Sequence, residues 1–139
     1  MGACARPGIK CVLLTPYTQD FVDQHKEGRA SIYACEFDPA NTVYVIVNYG
    51  HSGGHTSTSA AAATDDLLAI SMIELQHHPP GPAFICIDLN ADPEDITILD
   101  GALKAKQWFD LGSLAHVWGN EFTSDFTCTT SRSYFVMWR

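Results

Sequence analysis

Two short stretches of apolar, mostly β-branched residues dominate the hydrophobic pattern of this chain. Residues 42–48 (Thr-Val-Tyr-Val-Ile-Val-Asn) and residues 83–89 (Ala-Phe-Ile-Cys-Ile-Asp-Leu) are almost wholly apolar. Runs of this length and composition are typical of strands that are covered on both faces. The pattern therefore predicts two central strands of one sheet.

Weaker patterns predict two further strands before the first stretch. Residues 31–37 alternate between apolar and polar positions, and the turn-forming residues 38–41 separate them from residues 42–48. This arrangement predicts a hairpin. Residues 9–15 fit one more strand, whereas the polar residues 17–29 fit a loop or a short helix.

Helical periodicity predicts one long helix between the apolar stretches and another after them. The first is expected over about residues 60–76, with Thr58 or Ser59 as its cap. Four side chains form its apolar face: Leu67, Leu68, Met72 and Leu75. The second begins with a capping aspartate and a proline and covers about residues 92–106. Strand, helix and strand in this order predict an α/β fold, and residues 108–139 have room for one or two more strands.

Composition and charge narrow the classes of function. The chain has 139 residues, enough for one domain, and its 46% hydrophobic and 17% charged residues are typical of a globular protein. No apolar run approaches the roughly 20 residues of a membrane span, and the N-terminus lacks the apolar run of a signal peptide. We therefore expect an intracellular protein, cytoplasmic or nuclear. The net charge of −8 disfavours polyphosphate, so metal ions would have to supply positive charge for a phosphodiester substrate.

The cysteines predict neither a disulfide framework nor a zinc site. There are five of them, an odd number, and they are scattered, without a C-x-x-C pair: Cys4, Cys11, Cys35, Cys86 and Cys128. This usage is typical of reduced thiols in an intracellular protein.

The strongest candidate for chemistry lies at the end of the second apolar stretch. Asp88 and Asn90 are two residues apart, so both project to the same side of an extended chain. In open α/β sheets, functional groups gather beyond the C-terminal ends of strands. A carboxylate beside a carboxamide can activate a water molecule and hold a phosphate oxygen or a metal ion. The structural alternative is a buried pair that satisfies the turn and the next helix start.

The segment that begins at Asp88 carries a family resemblance. An apolar strand followed by Asp-Leu-Asn-Ala-Asp-Pro-Glu-Asp resembles the Gly-Asp-Phe/Leu-Asn signature of the endonuclease/exonuclease/phosphatase superfamily, although Ile87 replaces the usual glycine. Other segments resemble that family in the same order: Glu27-Gly28-Arg29 before a strand, residues 45–50, the helix from about Ala60, residues 108–111 and residues 126–128. The similarity covers about residues 27–131.

The resemblance implies a fold and an activity. The fold is a two-sheet α/β sandwich of the deoxyribonuclease-I-like type, with residues 1–139 as a single partial domain. The activity is metal-dependent hydrolysis of a phosphodiester or phosphomonoester, with nucleic acid or another phosphoester as the partner. Asp88 matches the aspartate that orients or deprotonates the attacking water, Asn90 the partner that contacts phosphate or metal, and Tyr49 the active-site tyrosine. Asp88 and Asn90 would bind Mg²⁺, with Mn²⁺ as an alternative.

Departures from the family pattern give a second interpretation. The family's metal-binding glutamate lies upstream of the similar region, and Glu27 stands in a different context. Residues 131–136 resemble the later Arg-x-Asp-Tyr segment but lack its aspartate, and the family's final histidine is absent. A non-catalytic remnant or binding module of the same fold is therefore the alternative to an enzyme.

A third interpretation is a serine hydrolase. Gly50-His51-Ser52-Gly53-Gly54 fits the G-x-S-x-G nucleophile elbow, and Asp88 or Asp92 followed by His116 would complete the order Ser, Asp, His. The elbow should lead directly into a helix, but residues 55–59 have the composition of a loop. A flexible loop near a site is the simpler explanation of this pattern.

Overall fold

One mixed sheet with helices on one side organises the chain. The computed structural model describes residues 8–38, 41–111, 114 and 134–138. Six strands form the sheet: β1 (Lys10–Leu13), β2 (Ala30–Asp38), β3 (Asn41–Tyr49), β4 (Ala83–Asp88), β5 (Phe109–Asp110) and β6 (Tyr134–Trp138). Their order across the sheet is β1-β2-β3-β4-β6-β5. The helices are α1 (Gln19–Lys26), α2 (Thr58–Gln76) and α3 (Thr97–Lys104), with a 3₁₀ turn at Pro93–Asp95.

The pairing of strands confirms the predicted α/β class and hairpin. β2 and β3 form the antiparallel hairpin, and β3 and β4 run parallel, connected through α2. The register of this parallel pair extends from Tyr44 opposite Ala83 to Tyr49 opposite Asp88. The C-terminal ends of the two predicted central strands therefore meet at the same edge of the sheet.

The two faces of the sheet differ in how they are covered. On the helix face, fully buried side chains of the strands, such as Ile46 and Ile85, join a core with Phe21 and Leu68 of the helices. Because side chains alternate along a strand, the neighbours of these strand residues project from the opposite face, which we call the second face. Its residues on β3 and β4 are half-buried: Val43, Val45, Val47, Phe84 and Cys86. The described residues form a single sheet, so the second sheet of the predicted sandwich is not confirmed.

The long helix agrees with its prediction except at its start. α2 begins at Thr58, and its cap is Ser57, whose Oγ accepts a hydrogen bond from the Ala60 N–H at 3.4 Å. Leu67, Leu68 and Leu75 are buried as expected, whereas Met72 is only partly covered. Neither α2 nor any other helix in the described ranges has the length and apolar character needed to span a bilayer.

The predicted helix over residues 92–106 is wrong as a single element. The 3₁₀ turn ends at Asp95, and α3 begins only at Thr97. Between them, Ile96 has extended backbone angles and a fully buried side chain, so anchoring it in the core interrupts the helix. Asp65 of α2 caps the new helix, since its Oδ1 accepts from the Ile98 N–H at 2.7 Å.

The prediction of reduced cysteines is wrong for two of them. Cys11 and Cys35 lie directly opposite each other on β1 and β2, with Cα atoms 4.2 Å apart, and form a disulfide. The sequence does not show this pairing because it depends on the antiparallel register of two strands 24 residues apart. Cys86 is a free thiol whose pKa is raised by burial. Reduced cysteines therefore no longer support the expected intracellular compartment.

A buried carboxylate on α2 holds the start of α1. Glu74 is fully buried, and its oxygens accept from the backbone N–H of Tyr17 at 2.8 Å, from that of Thr18 at 2.9 Å and from the Thr18 hydroxyl at 2.6 Å. His78, one turn later, is 3.1 Å away through Nε2 and packs between the rings of Tyr17 and Tyr44. Burial alone would raise the pKa of the Glu74 carboxyl, but the hydrogen bonds from Thr18, Tyr17 and His78 outweigh it and lower that pKa. The ionised form therefore stabilises the fold.

We expect Glu74→Gln to lower the free energy of unfolding by about 2–3 kcal/mol, because an amide has one acceptor oxygen and cannot accept from Tyr17 and from Thr18 at the same time. The stability due to Glu74 is present above the pKa of the unfolded chain and is lost as pH falls through the lowered pKa of the folded state. Urea unfolding at several acidic pH values would measure both effects. Asp66→Asn, on the exposed face of the same helix, is the control and should change little. Equal stability of Glu74→Gln and the wild type would contradict the role of Glu74 in holding α1.

Candidate functional site

Three side chains share one edge of the sheet, which we call the site edge: two end strands and the third directly precedes one. Tyr49 ends β3 and lies in register with Asp88, which ends β4. On its other side, the Tyr49 N–H donates to the carbonyl of Arg29 at 2.8 Å, just before β2 begins. Residues in register on neighbouring strands project from the same face. Arg29, Tyr49 and Asp88 therefore form a row, the site row, on the second face.

The last two residues of β3, Asn48 and Tyr49, project to opposite faces of the sheet. Asn48 projects to the helix face, where its Nδ2 donates to the Ser71 hydroxyl of α2 at 2.8 Å. Tyr49 is 39% exposed and lies between Arg29 and Asp88. Asn48 thus fastens the strand to α2, whereas Tyr49 projects from the second face together with Arg29 and Asp88.

Gly50 brings the ends of β3 and β4 into contact. Its N–H donates to the Asp88 carbonyl at 2.8 Å, and its own carbonyl accepts from Asn90 Nδ2 at 3.1 Å and from Arg29 Nη1 at 3.2 Å. A Cβ at this position would lie only 2.3 Å from the Leu89 carbonyl oxygen. Only glycine permits this approach, and we call Gly50 with its three partners the Gly50 corner.

Asp88 has an incomplete hydrogen-bond complement. Its side chain is 8% exposed, and Oδ1 is fully buried without a hydrogen-bond partner among the described residues. Such an atom destabilises a folded protein, so each case calls for an explanation such as an ion, a proton or a ligand. This arrangement differs from the structural alternative, in which the aspartate would have its partners within the turn.

Asn90 has a structural role and a free acceptor. Its backbone is in the left-handed region, with φ of 51°, and its Nδ2 supports the Gly50 carbonyl. The amide nitrogen therefore supports the end of β3, and not the turn or the helix start of the structural alternative. None of the hydrogen bonds in the described segments uses its Oδ1, which leaves a carboxamide oxygen close to the end of β4.

His51 and Glu27 lie beside the arginine of the site row. Glu27 Oε2 is 4.0 Å from Arg29 Nε. The pKa of His51 is lowered, first by burial and then by the positive charge of Arg29, while the negative charge of Glu27 opposes the shift. The backbone N–H of His51 donates to the Thr64 hydroxyl at 2.8 Å, which fastens this loop to α2.

The oxygen atoms of Asp88 and Asn90 could supply part of the coordination shell of a metal ion. No cluster of three or more His, Cys, Asp or Glu side chains suited to a metal ion occurs within the described part of the chain. Mg²⁺ is usually held by one or two carboxylates together with waters and substrate phosphates. Asp88 Oδ1 and Asn90 Oδ1 are oxygen donors of the required kind, so the two residues suit this partial mode of binding.

The geometry does not give Ser52 the setting of a catalytic nucleophile. β3 ends at Tyr49 and α2 begins only at Thr58, so the exposed Ser52 lies in a turn and not on a strand-to-helix elbow. His116, its predicted partner, lies outside the described residues, as does the family-like segment at residues 126–128.

Arg29 and Gly50 are the site residues that sequence reasoning missed. Arg29 appeared only as part of a family-like segment before a strand, and Gly50 only within the family-like residues 45–50 and the G-x-S-x-G pattern. A glycine directly after a β-branched strand was the available signal for a close approach between backbones. Nothing local marked Arg29, because its place depends on the hairpin register.

Comparisons with known proteins show the fold. No protein-family model and no curated protein matches the sequence. The structure is similar to the catalytic domain of human Nocturnin, solved with a bound sulfate anion, with a TM-score of 0.50, 14% identity, and coverage of 94% of this chain and 60% of that one. An endonuclease/exonuclease/phosphatase family protein from Bacteroides thetaiotaomicron gives a TM-score of 0.47 and 16% identity over 78% of this chain and 39% of its own. The chain thus spans less than two thirds of either structure, and the predicted resemblance is confirmed at the level of the fold.

Proposed function

We propose that the site edge is the centre of a metal-dependent phosphoester hydrolase, nuclease-like in fold and acting on a phosphodiester or a phosphomonoester. The observation that carries this proposal is the buried, unpartnered Oδ1 of Asp88 within the site row. The likeness to the catalytic domain of human Nocturnin adds support at the level of the fold.

We assign each residue the role that the resemblance implies and that its position supports. Asp88 orients or deprotonates the attacking water, since its free carboxylate oxygen needs a proton donor or cation beside it. Asn90 offers Oδ1 to the same ligand while its amide nitrogen stays on Gly50. Tyr49, exposed between Arg29 and Asp88, contacts the substrate phosphate. Mg²⁺ or Mn²⁺, held by Asp88 and Asn90, would stabilise negative charge on the phosphoryl oxygens.

The proposal extends to the architecture of the domain. We infer that residues 1–139 are one partial domain and that a second sheet packs on the second face. The half-buried Val45, Val47 and Phe84 support this inference, because an apolar sheet face of this kind is normally covered. The Asp88 carboxylate, which projects from the same face, would then lie at the rim of the interface between the sheets.

Metal-dependent hydrolysis by the purified chain tests the proposal. We expect slow cleavage of at least one of three substrates, which are DNA with one abasic site, single-stranded RNA and bis(p-nitrophenyl) phosphate. The activity should require Mg²⁺ or Mn²⁺, disappear in EDTA and return when the metal is restored. If a protein shown by circular dichroism to be folded cleaves none of them at any metal concentration, the hydrolase proposal is wrong and the non-catalytic alternative is favoured.

A further inference from the structure

Arg29 stands at one end of the site row, and the proposed mechanism leaves it unused. We propose that Arg29 binds a phosphate group of the substrate beside Asp88, and that the site edge therefore takes a small phosphoester with one or two phosphates and not a long polynucleotide. The inference rests on the proposed function and specifies its substrate class.

The hydrogen bonds of Arg29 fix its guanidinium over the end of β3. Nη1 donates to the Tyr49 carbonyl at 3.3 Å and to the Gly50 carbonyl at 3.2 Å. The β3 strand lies between Arg29 and Asp88, so the guanidinium reaches to within about one strand spacing, roughly 5 Å, of the strand that carries Asp88. Arg29 therefore lies on the same face of the sheet as the Asp88 carboxylate, with β3 between them.

The remaining donors of Arg29 are available to an anion. The side chain is 26% exposed, its Nε lies 4.0 Å from Oε2 of the exposed Glu27, and no hydrogen bond in the described segments uses Nη2. A phosphate must therefore compete with the Glu27 carboxylate for Nε, whereas Nη2 has no such competitor among the described residues. A guanidinium presents several N–H groups in one plane and binds phosphate through two of them at once. The Gly50 carbonyl accepts from both Arg29 and Asn90, so their two nitrogens lie within about two hydrogen-bond lengths of each other. One phosphate group can therefore contact Arg29 and the Asn90 side of the site together.

The distribution of charge among the described residues favours a substrate with few phosphates. The structure describes five lysine and arginine side chains, and four of them lie within 4.0 Å of a carboxylate: Lys10 with Glu36, Lys26 with Asp23, Lys104 with Asp100, and Arg29 itself with Glu27. Lys106 precedes Gln107, which lines a cavity with Gln76 at the end of α2 remote from the site edge. Arg29 is thus the one cation of the described set at the site edge. A polynucleotide surface needs several such contacts, and the net charge of −8 opposes one.

Anion binding without catalysis tests the role of Arg29. The probe is a fluorescein-labelled dinucleotide with a 5′-phosphate, followed by anisotropy in EDTA, so that no cleavage occurs. We expect Arg29→Gln to weaken binding about tenfold or more, Arg29→Lys to recover part of the affinity, and Lys26→Gln to bind like the wild type. If Arg29 only holds the Gly50 corner, Arg29→Gln would lower the thermal stability while the folded protein kept its affinity, and the inference would be wrong.

Salt dependence of the wild type tests the substrate class and needs no variant. On single strands, each phosphate contact contributes about −0.7 to the slope of log affinity against log salt concentration. We expect a slope of about −0.7 to −1.4 for the dinucleotide and the same slope for an oligonucleotide several times longer. If the salt slope became steeper with oligonucleotide length, the protein would have an extended polynucleotide-binding surface, and the inference would be wrong. Loss of dinucleotide binding in Arg29→Gln, in a protein without hydrolytic activity, would support the anion site while contradicting the proposed hydrolase.

Discussion

Asp88→Asn is expected to abolish metal-dependent hydrolysis while leaving the fold as stable as the wild type or more so. The carboxylate is the group proposed to orient or deprotonate the attacking water, and loss of such a group typically slows a reaction by about 10²–10⁴-fold. In the free protein, the same carboxylate has a buried oxygen without a partner among the described residues. Removing its charge therefore relieves a cost of desolvation. Residues that destabilise a fold in this way are common at functional sites, where activity maintains them.

Two measurements on each variant check this prediction. The rate is measured on whichever substrate the wild type cleaves, and urea unfolding without metal gives the free energy of unfolding. Asp95→Asn is the matched control, because its carboxylate is exposed and lies in the 3₁₀ turn that follows β4. It should leave both quantities nearly unchanged. Full activity in Asp88→Asn would remove Asp88 from the mechanism, whereas a large loss of stability would show that its role is structural.

The elements that the sequence predicted well have a local physical cause. The Val/Ile-rich runs of β3 and β4 fill a buried layer whatever lies next to them, so composition alone locates them. The proposal of Asp88 and Asn90 as site residues has a similar basis, since they lie at the end of such a strand. The start of α2 differed by two residues because several neighbouring Ser and Thr residues can cap a helix equally well.

The features that the sequence did not predict depend on partners distant in the chain. Arg29 joins the site row because the β2–β3 hairpin places it opposite Tyr49. The same kind of pairing brings Cys11 to Cys35, and α2 brings Glu74 to the start of α1. A polar residue in an apolar helical pattern gives no indication of which N–H groups it will meet. Long-range register, and not local preference, decides these contacts.

The Gly50 corner is the part of the site with the smallest tolerance for change. We expect Gly50→Ala to lower the free energy of unfolding by about 3 kcal/mol or more, because the new Cβ would lie 2.3 Å from the Leu89 carbonyl oxygen and 2.7 Å from that of Asp88. Both atoms belong to the backbone and cannot rotate aside. The end of β4 must then move away from β3, which separates Arg29, Asn90 and Asp88.

Activity should fall more than stability alone explains, since a displacement of about 1 Å in a catalytic group can cost roughly 10²-fold in rate. Gly101→Ala is the matched control. A Cβ there meets nothing within 4 Å, and Gly101 lies inside α3, so the same substitution should stabilise the protein by about 0.5–1 kcal/mol. Urea unfolding should show a lower free energy of unfolding for Gly50→Ala and a higher one for Gly101→Ala. Hydrolysis or dinucleotide binding, measured under conditions in which each variant is folded, reports on the site. If Gly50→Ala proved as stable as Gly101→Ala and kept its ligand, the ends of β3 and β4 would not be held together as the Gly50 corner requires.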